Sequence, residues 1–343
     1  MGNVGFNVGF ALLRLWMCCE VVLCHCWRRS GEGWGETFLY RMESAAVPVF
    51  MLMSFFLAAE KFAKNDVAWS RRRLGRVVVP YLVWSVIYFA VFSALALVSS
   101  DPQFQVSLRD LGWQVLLGSS PKLNHQFWFQ SVLVMLTVLT VVTVRILRPR
   151  RIVLVGAAFL FVSAVVQYSG LLGTAFDAFP YESKWTLGRI APMLAYAGLG
   201  LMLGAGRAFI DRADGRLRLG VAFGALALFL VDYVHPIFAL PPGGYGYDGF
   251  GLLFSATLLL AAFYYLPTER LPGRLVAGLK ALSSYTMGVY CIHLLFARIL
   301  VVFVFRPMGL GDKSVPCALT AGVLAWTACW LLARIPRIER LVR

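Results

Sequence analysis

The sequence predicts an all-α, polytopic membrane protein with about ten transmembrane helices and both termini in the cytoplasm. Of its 343 residues, 59% are hydrophobic and only 14% are charged, and the mean hydropathy is +0.73. Apolar stretches of about 20 residues recur along the chain, the length that crosses a bilayer core of roughly 30 Å. A large soluble helical protein would need polar helix faces, which are almost absent here.

Ten apolar stretches follow one another without a linker or tail long enough for a second domain, so we expect one transmembrane domain over residues 1–343. The first stretch is expected to be retained rather than cleaved, because Arg14 and Glu20 interrupt it and no A-x-A pattern follows it. The predicted spans lie at 7–27, 44–62, 77–98, 127–145, 152–168, 188–206, 218–234, 250–266, 284–304 and 315–333.

The segments between the spans alternate in basic charge, which predicts their side of the membrane. Alternate segments, from 60–76 to 334–343, hold 21 lysines and arginines, whereas the other segments hold 8. Because basic loops stay in the cytoplasm, the first set and both termini are expected there. The net charge of +15 therefore reflects orientation in the membrane, and no nucleic acid partner is expected.

A metal site is not expected. Cys24, His25 and Cys26 are adjacent in sequence, but consecutive helical residues point about 100° apart and cannot converge on one ion. All seven cysteines lie in apolar stretches without CxxC spacing, as expected of apolar thiols.

Ionisable residues within the first span are the main functional signal, since charge inside a membrane is costly. On a helix, the side chains of Arg14 and His25 point in directions that differ by only about 20°, so both lie on one face. They are about 16 Å apart along the helix axis. Glu20 lies off this stripe and is expected to face a neighbouring helix, where Arg189 or Arg298 could pair with it. A structural alternative stays open, in which Arg14 and Glu20 form a buried ion-pair network and His25 is an interface residue.

The R-x10-H pattern of Arg14 and His25 and five later motifs resemble the membrane acyltransferase-3 family, which includes O-antigen acetylases and other bacterial enzymes that acylate surface sugars. The motifs follow the order typical of that family. The chain departs from it at Ala11, where many members carry an acidic residue, and at Gln126, where some carry histidine. The later motifs are VPVFMLMSFFL (47–57), RRLGRVVVPYLVW (72–84), FWFQSVL (127–133), GRIAPMLAYAGLGLMLG (188–204) and SYTMGVYCIHLLF (284–296).

The resemblance implies an O-acyltransferase, in the simplest case an O-acetyltransferase. It would take its acyl group from cytoplasmic acetyl-CoA or another acyl-CoA and give it to a hydroxyl of an extracytoplasmic or lipid-linked carbohydrate. His25 is the expected general base, because an imidazole can take a hydroxyl proton near neutral pH. Arg14 is expected to hold a carbonyl or phosphate of the donor. Glu20, His293 and Arg189 are candidates for catalytic support.

Further side chains are assigned to the two substrates, each with a structural alternative. The donor-binding candidates fit coenzyme A phosphates but also serve as topology determinants; they are Arg71, Arg72, Arg73 and Arg76. The acceptor-binding candidates fit a sugar ring but are also typical of the membrane interface or of helix packing; they are Trp128, His125 and Tyr290.

No tightly bound cofactor is expected, because acyl-CoA enters as a substrate. The expected partners are membrane lipid, acyl-CoA and a carbohydrate or glycolipid acceptor, with a homo-oligomer left open. The expected location is the bacterial cytoplasmic (inner) membrane. The competing hypothesis is a transporter or flippase for a small solute or lipid-linked sugar, although no paired halves are visible. A third hypothesis is a non-catalytic scaffold.

Overall fold

The chain is all-α over the residues that the structure, a computed structural model, describes, and these contain no β-strand. The described residues are 6–26, 34–120, 122–147, 151–169, 181–212, 214–234, 250–268, 271–309 and 315–343. Their helices are α1 (Val8–Cys26), α2 (Trp34–Ala63), α3 (Val67–Ala96), α4 (Leu108–Leu117), α5 (Trp128–Leu147), α6 (Ile152–Tyr168), α7 (Tyr181–Ile210), α8 (Gly215–Val234), α9 (Phe250–Tyr264), α10 (Gly273–Ser284), α11 (Thr286–Leu300), α12 (Val315–Leu332) and α13 (Glu339–Val342).

Seven stretches of the described helices are long and apolar enough to cross a membrane, in α1, α2, α3, α5, α7, α11 and α12. Helices α6 and α9 are apolar but shorter. The polytopic, all-helical class is therefore confirmed. The count of ten spans and the cytoplasmic location of both termini stay predictions.

The basic segment before the third predicted span is helical, whereas its sequence resembled a loop. Helix α3 begins at Val67, and Asp66 caps it by accepting a hydrogen bond from the Trp69 backbone N–H at 2.8 Å. Arginine and leucine are strong helix formers, so the helix continues through the charged residues into the apolar stretch. As a result, the arginines of this segment point in fixed and different directions.

Three of the described helices, α4, α10 and the short α13, lie mainly outside the predicted spans. Ser107 and Asp110 form a capping box at the start of α4, and Gly118 ends it in the left-handed region with φ of 71°. A Cβ at Gly118 would lie 2.5 Å from the Phe127 carbonyl oxygen, so only glycine allows this close approach. Helix α4 is thereby held against the turn that leads into α5.

Helix α1 lies at the centre of the bundle and packs against α2, α9, α10, α11 and α12. Leu13 and Met17 on this helix are fully buried. On α6, α8 and α12, by contrast, large apolar side chains are more than half exposed, among them Phe161, Phe223 and Leu319. This arrangement is expected of a helix bundle whose outer surface meets lipid.

Candidate active site

Three of the four histidines come together at the C-terminal end of α1. The ring centroid of His25, in the last turn of this helix, lies 5.5 Å from that of His125 and 5.8 Å from that of His293. His125 opens a 3-10 turn, His125–Phe127, that leads into α5, and His293 lies in the middle of α11. We call these three residues the histidine cluster.

His293 is held in one orientation. Its Nδ1 lies 2.9 Å from the carbonyl oxygen of Val289, which can only accept, so Nδ1 carries the proton. Its Nε2 is buried and has no hydrogen-bond partner among the described residues. Tyr88 fixes the same stretch of α11, because its hydroxyl accepts from Leu295 N–H and donates to the Cys291 carbonyl, both at 2.9 Å. His293 therefore offers an unused proton acceptor within the cluster.

The 3-10 turn places a second unusual polar group beside the cluster. Asn124 caps the turn by accepting from the Gln126 backbone N–H at 3.0 Å, and the Tyr290 hydroxyl donates to the Gln126 carbonyl. Both side-chain amide atoms of Gln126 are buried without a partner in the described part of the chain. A buried polar atom left unsatisfied costs about 1–3 kcal/mol. This amide can still donate and accept.

A cavity of about 360 Å³ connects the neighbourhood of the cluster with the start of α3. We call it the donor cavity. Tyr290 lines it, and the ring centroid of Tyr290 lies 6.3 Å from that of His293. Its basic lining residues are Arg14, Arg73, Arg76 and Arg343. The cavity thus joins a basic surface to the aromatic side chain next to the histidine cluster.

Arg14 links α1 to α11 by donating to the Thr286 hydroxyl at 2.8 Å. It also lines a second cavity of about 480 Å³, together with Ala11, Arg207 and Arg218. Arg14 therefore lines two cavities, on the same face of α1 as His25 but nearer the start of the helix.

The structure separates the four predicted donor-binding arginines into two pairs. Arg73 and Arg76 line the donor cavity, and Arg73 donates to the Ser54 hydroxyl at 2.6 Å. Arg71 and Arg72 are exposed and are not among the described lining residues. The geometry therefore favours Arg73 and Arg76, while all four roles stay predictions.

The remaining candidates are held by other contacts. Trp16 donates to Glu20 at 3.0 Å, and Glu20 is buried. The Arg189 guanidinium lies 4.4 Å from the centroid of the buried Trp128 ring and so covers one face of the ring. Arg298 donates to a backbone carbonyl of the segment before α5. The pairing of Glu20 with an arginine and the stacking of a sugar on Trp128 stay predictions.

Sequence reasoning missed three polar residues of this region. Gln130 donates to the Cys291 thiol at 3.2 Å, and its Oε1 is buried without a partner among the described residues. The sequence could have indicated Gln130, because it is a polar residue within an apolar stretch. Thr286 and Arg343 carry no such local signal, because only helix packing brings them to the donor cavity.

Fold and site together define a multi-pass membrane protein with a buried polar centre and a basic cavity that reaches Tyr290 beside it. A family model described as an acyltransferase domain matches residues 7–334, so the chain belongs to this family, and the resemblance to the membrane acyltransferase-3 family is confirmed. The protein is therefore a membrane acyltransferase. Comparison with curated proteins and with solved structures found no match.

Proposed function

We propose that this membrane acyltransferase moves an acyl group, in the simplest case acetyl, from cytoplasmic acyl-CoA to a hydroxyl of an extracytoplasmic or lipid-linked carbohydrate. The observation that carries the proposal is the closeness of a basic cavity to the histidine cluster. The arginine-lined donor cavity includes Tyr290, and the Tyr290 ring lies beside His293 in the histidine cluster.

The arginines of the donor cavity support an acyl-CoA donor. A guanidinium binds phosphate oxygens through paired, charge-assisted hydrogen bonds, and four guanidinium groups line this cavity. Arg14 lies about 16 Å from His25 along α1, so it suits the phosphates or the pantetheine arm rather than the reacting carbonyl. Phe50 and Phe129 offer apolar walls for that arm.

His25 is the proposed general base. It takes the proton of the acceptor hydroxyl while the hydroxyl oxygen bonds to the thioester carbonyl carbon. The carbon–sulfur bond then breaks, and coenzyme A leaves as the thiol with the proton returned by the imidazole. The Nε2 of His293, which has no hydrogen-bond partner in the part of the chain that the structure describes, supports a role in orienting His25 or in sharing this proton.

The unpartnered amides beside the cluster support a hydroxyl-rich acceptor. A hydroxyl both donates and accepts, which matches the side-chain amide atoms of Gln126 and the Oε1 of Gln130, none of which has a hydrogen-bond partner among the described residues. His125, Tyr290 and Trp128 frame the same region. The bacterial cytoplasmic membrane is the proposed location, because the family resemblance is to bacterial enzymes that modify surface sugars.

The test uses the purified full chain in lipid nanodiscs, acetyl-CoA labelled in the acetyl group and a panel of carbohydrate acceptors. We expect thiol release and transfer of label that both depend on a carbohydrate. Label that enters no carbohydrate, with thiol release unaffected by any sugar, would exclude the proposal. Sugar uptake into liposomes without thiol release would favour the transporter hypothesis instead.

A further inference from the structure

A third cavity lies apart from the histidine cluster, between α2, α7, α8 and α9. Its volume is about 680 Å³, and its walls are mostly apolar, with Leu203, Val221 and Leu260 among them. It lies beside the turn that joins α7 to α8, within the segment 207–218 that is predicted to be cytoplasmic. None of the proposed catalytic residues lines it.

Two arginines give this apolar cavity a positive end. Arg212 is exposed, and Arg218 is partly buried, with an Nε that has no hydrogen-bond partner in the described part of the chain. No described lining residue is acidic. The nearby Asp211 carboxylate is already engaged, because it accepts from the Tyr264 hydroxyl at 2.7 Å and lies 3.6 Å from Arg207.

The cavity borders an exposed apolar surface of α8. Leu217 and Val221 on α8 are 60% and 37% exposed, and Leu228, also exposed, lies on the same face further along the helix. Cations at the end of such a helix lie at the depth of lipid headgroups. A small soluble phosphate compound would leave the apolar walls empty, whereas an amphiphile uses both parts of the cavity.

We propose that this cavity binds an anionic glycerophospholipid of the adjacent leaflet, with its phosphate on Arg212 and Arg218 and an acyl chain against Leu203, Val221 and Leu260. The site is separate from the donor cavity and does not depend on the acyl-transfer proposal. Arg218 and Tyr264 also line the second cavity around Arg14, so the bound lipid would lie next to that cavity.

Native mass spectrometry of the full chain in detergent, titrated with dioleoyl phosphatidylglycerol, tests the site. The double variant Arg212→Gln/Arg218→Gln should weaken the tightest lipid by about tenfold or more, because both cations that hold the headgroup are lost. Arg216→Gln is the matched control, since Arg216 is exposed on the same helix but does not line the cavity. Ala261→Phe should weaken binding with both arginines intact, because its ring fills the cavity.

Several outcomes would overturn the site. These are equal weakening in Arg216→Gln, no weakening in Ala261→Phe, or phosphatidylcholine binding as tightly as phosphatidylglycerol. Displacement of the lipid by excess inorganic phosphate or coenzyme A would assign a soluble phosphate ligand instead. If the double variant does not fold, Arg212→Gln alone carries the test, and an unchanged affinity there rejects the proposal.

Discussion

At the scale of single residues, the three imidazoles of the cluster differ in access. His25 and His125 are partly exposed, whereas His293 is fully buried. His25 is therefore the more accessible of the two, and the fixed ring of His293 lies beside it. This difference supports the proposal that His25 takes the proton of the substrate and that His293 positions His25.

His25→Ala should lower the rate of acyl transfer by about 10²–10⁴, the usual contribution of a general base. Turnover is measured with saturating donor and acceptor, and the melting temperature in detergent checks folding. Cys19→Ala is the control, because Cys19 is exposed on the same helix. A His25→Ala variant that keeps more than about half of the parent turnover removes His25 as the base and makes His293 the next candidate.

Arg14→Lys should raise the KM for acyl-CoA by about tenfold or more and leave the KM for the acceptor unchanged. Lysine keeps the charge but loses the planar fork that holds both Thr286 and a phosphate or carbonyl oxygen. Arg216→Lys is the matched control, since Arg216 is exposed and outside the described lining of both cavities around Arg14. If the KM for acyl-CoA is the same in both variants, Arg14 has a structural role and does not bind the donor.

At the scale of helices, α7 packs closely because it presents glycines to its neighbours. A Cβ on Gly204 would lie 2.3 Å from the Phe56 carbonyl oxygen of α2, and one on Gly198 would lie 2.4 Å from the Gly156 carbonyl oxygen of α6. Small residues let helix backbones approach where lipid supplies no hydrophobic driving force. This packing holds α2, and with it Ser54, at the donor cavity.

Two glycines of α7 give opposite predictions for the same substitution. Gly204→Ala should lower the melting temperature in detergent, because the new methyl group meets backbone and must separate α7 from α2. Gly206→Ala should leave it unchanged or raise it, since nothing lies within 4 Å and alanine is the better helix former by about 1 kcal/mol. Equal destabilisation by both would contradict the close packing.

At the scale of the whole molecule, the bundle connects two surfaces of different character. The donor cavity lies at the basic end, with Arg76 and Arg343 in its lining, and the histidine cluster lies at the other end of α1. The proposed reaction would use this polarity, because in that proposal the donor and the acceptor come from opposite sides of the membrane.

The orientation is tested by labelling single cysteines in intact cells with an impermeant maleimide. Arg109→Cys in α4 should react, whereas Lys64→Cys should react only after permeabilisation, since basic segments stay in the cytoplasm. Both positions are exposed, so their accessibility within the protein is similar. The parent protein measures the background from native cysteines. Labelling at residue 64 but not at residue 109 in intact cells would show that the topology is inverted. Residues 33 and 244, which are also expected outside, can be labelled in the same way; both lie outside the described residues.

The sequence by itself determined the membrane class and the Arg14–His25 stripe, because run length and helical spacing are local properties of the chain. It also singled out the basic segment before the third span. Tertiary structure alone decided that His125 and His293 join His25 and that Arg73 and Arg76, rather than Arg71 and Arg72, line the donor cavity. It likewise brought Arg343 to that cavity. These outcomes depend on which helices become neighbours and how each is rotated, and no local pattern encodes either.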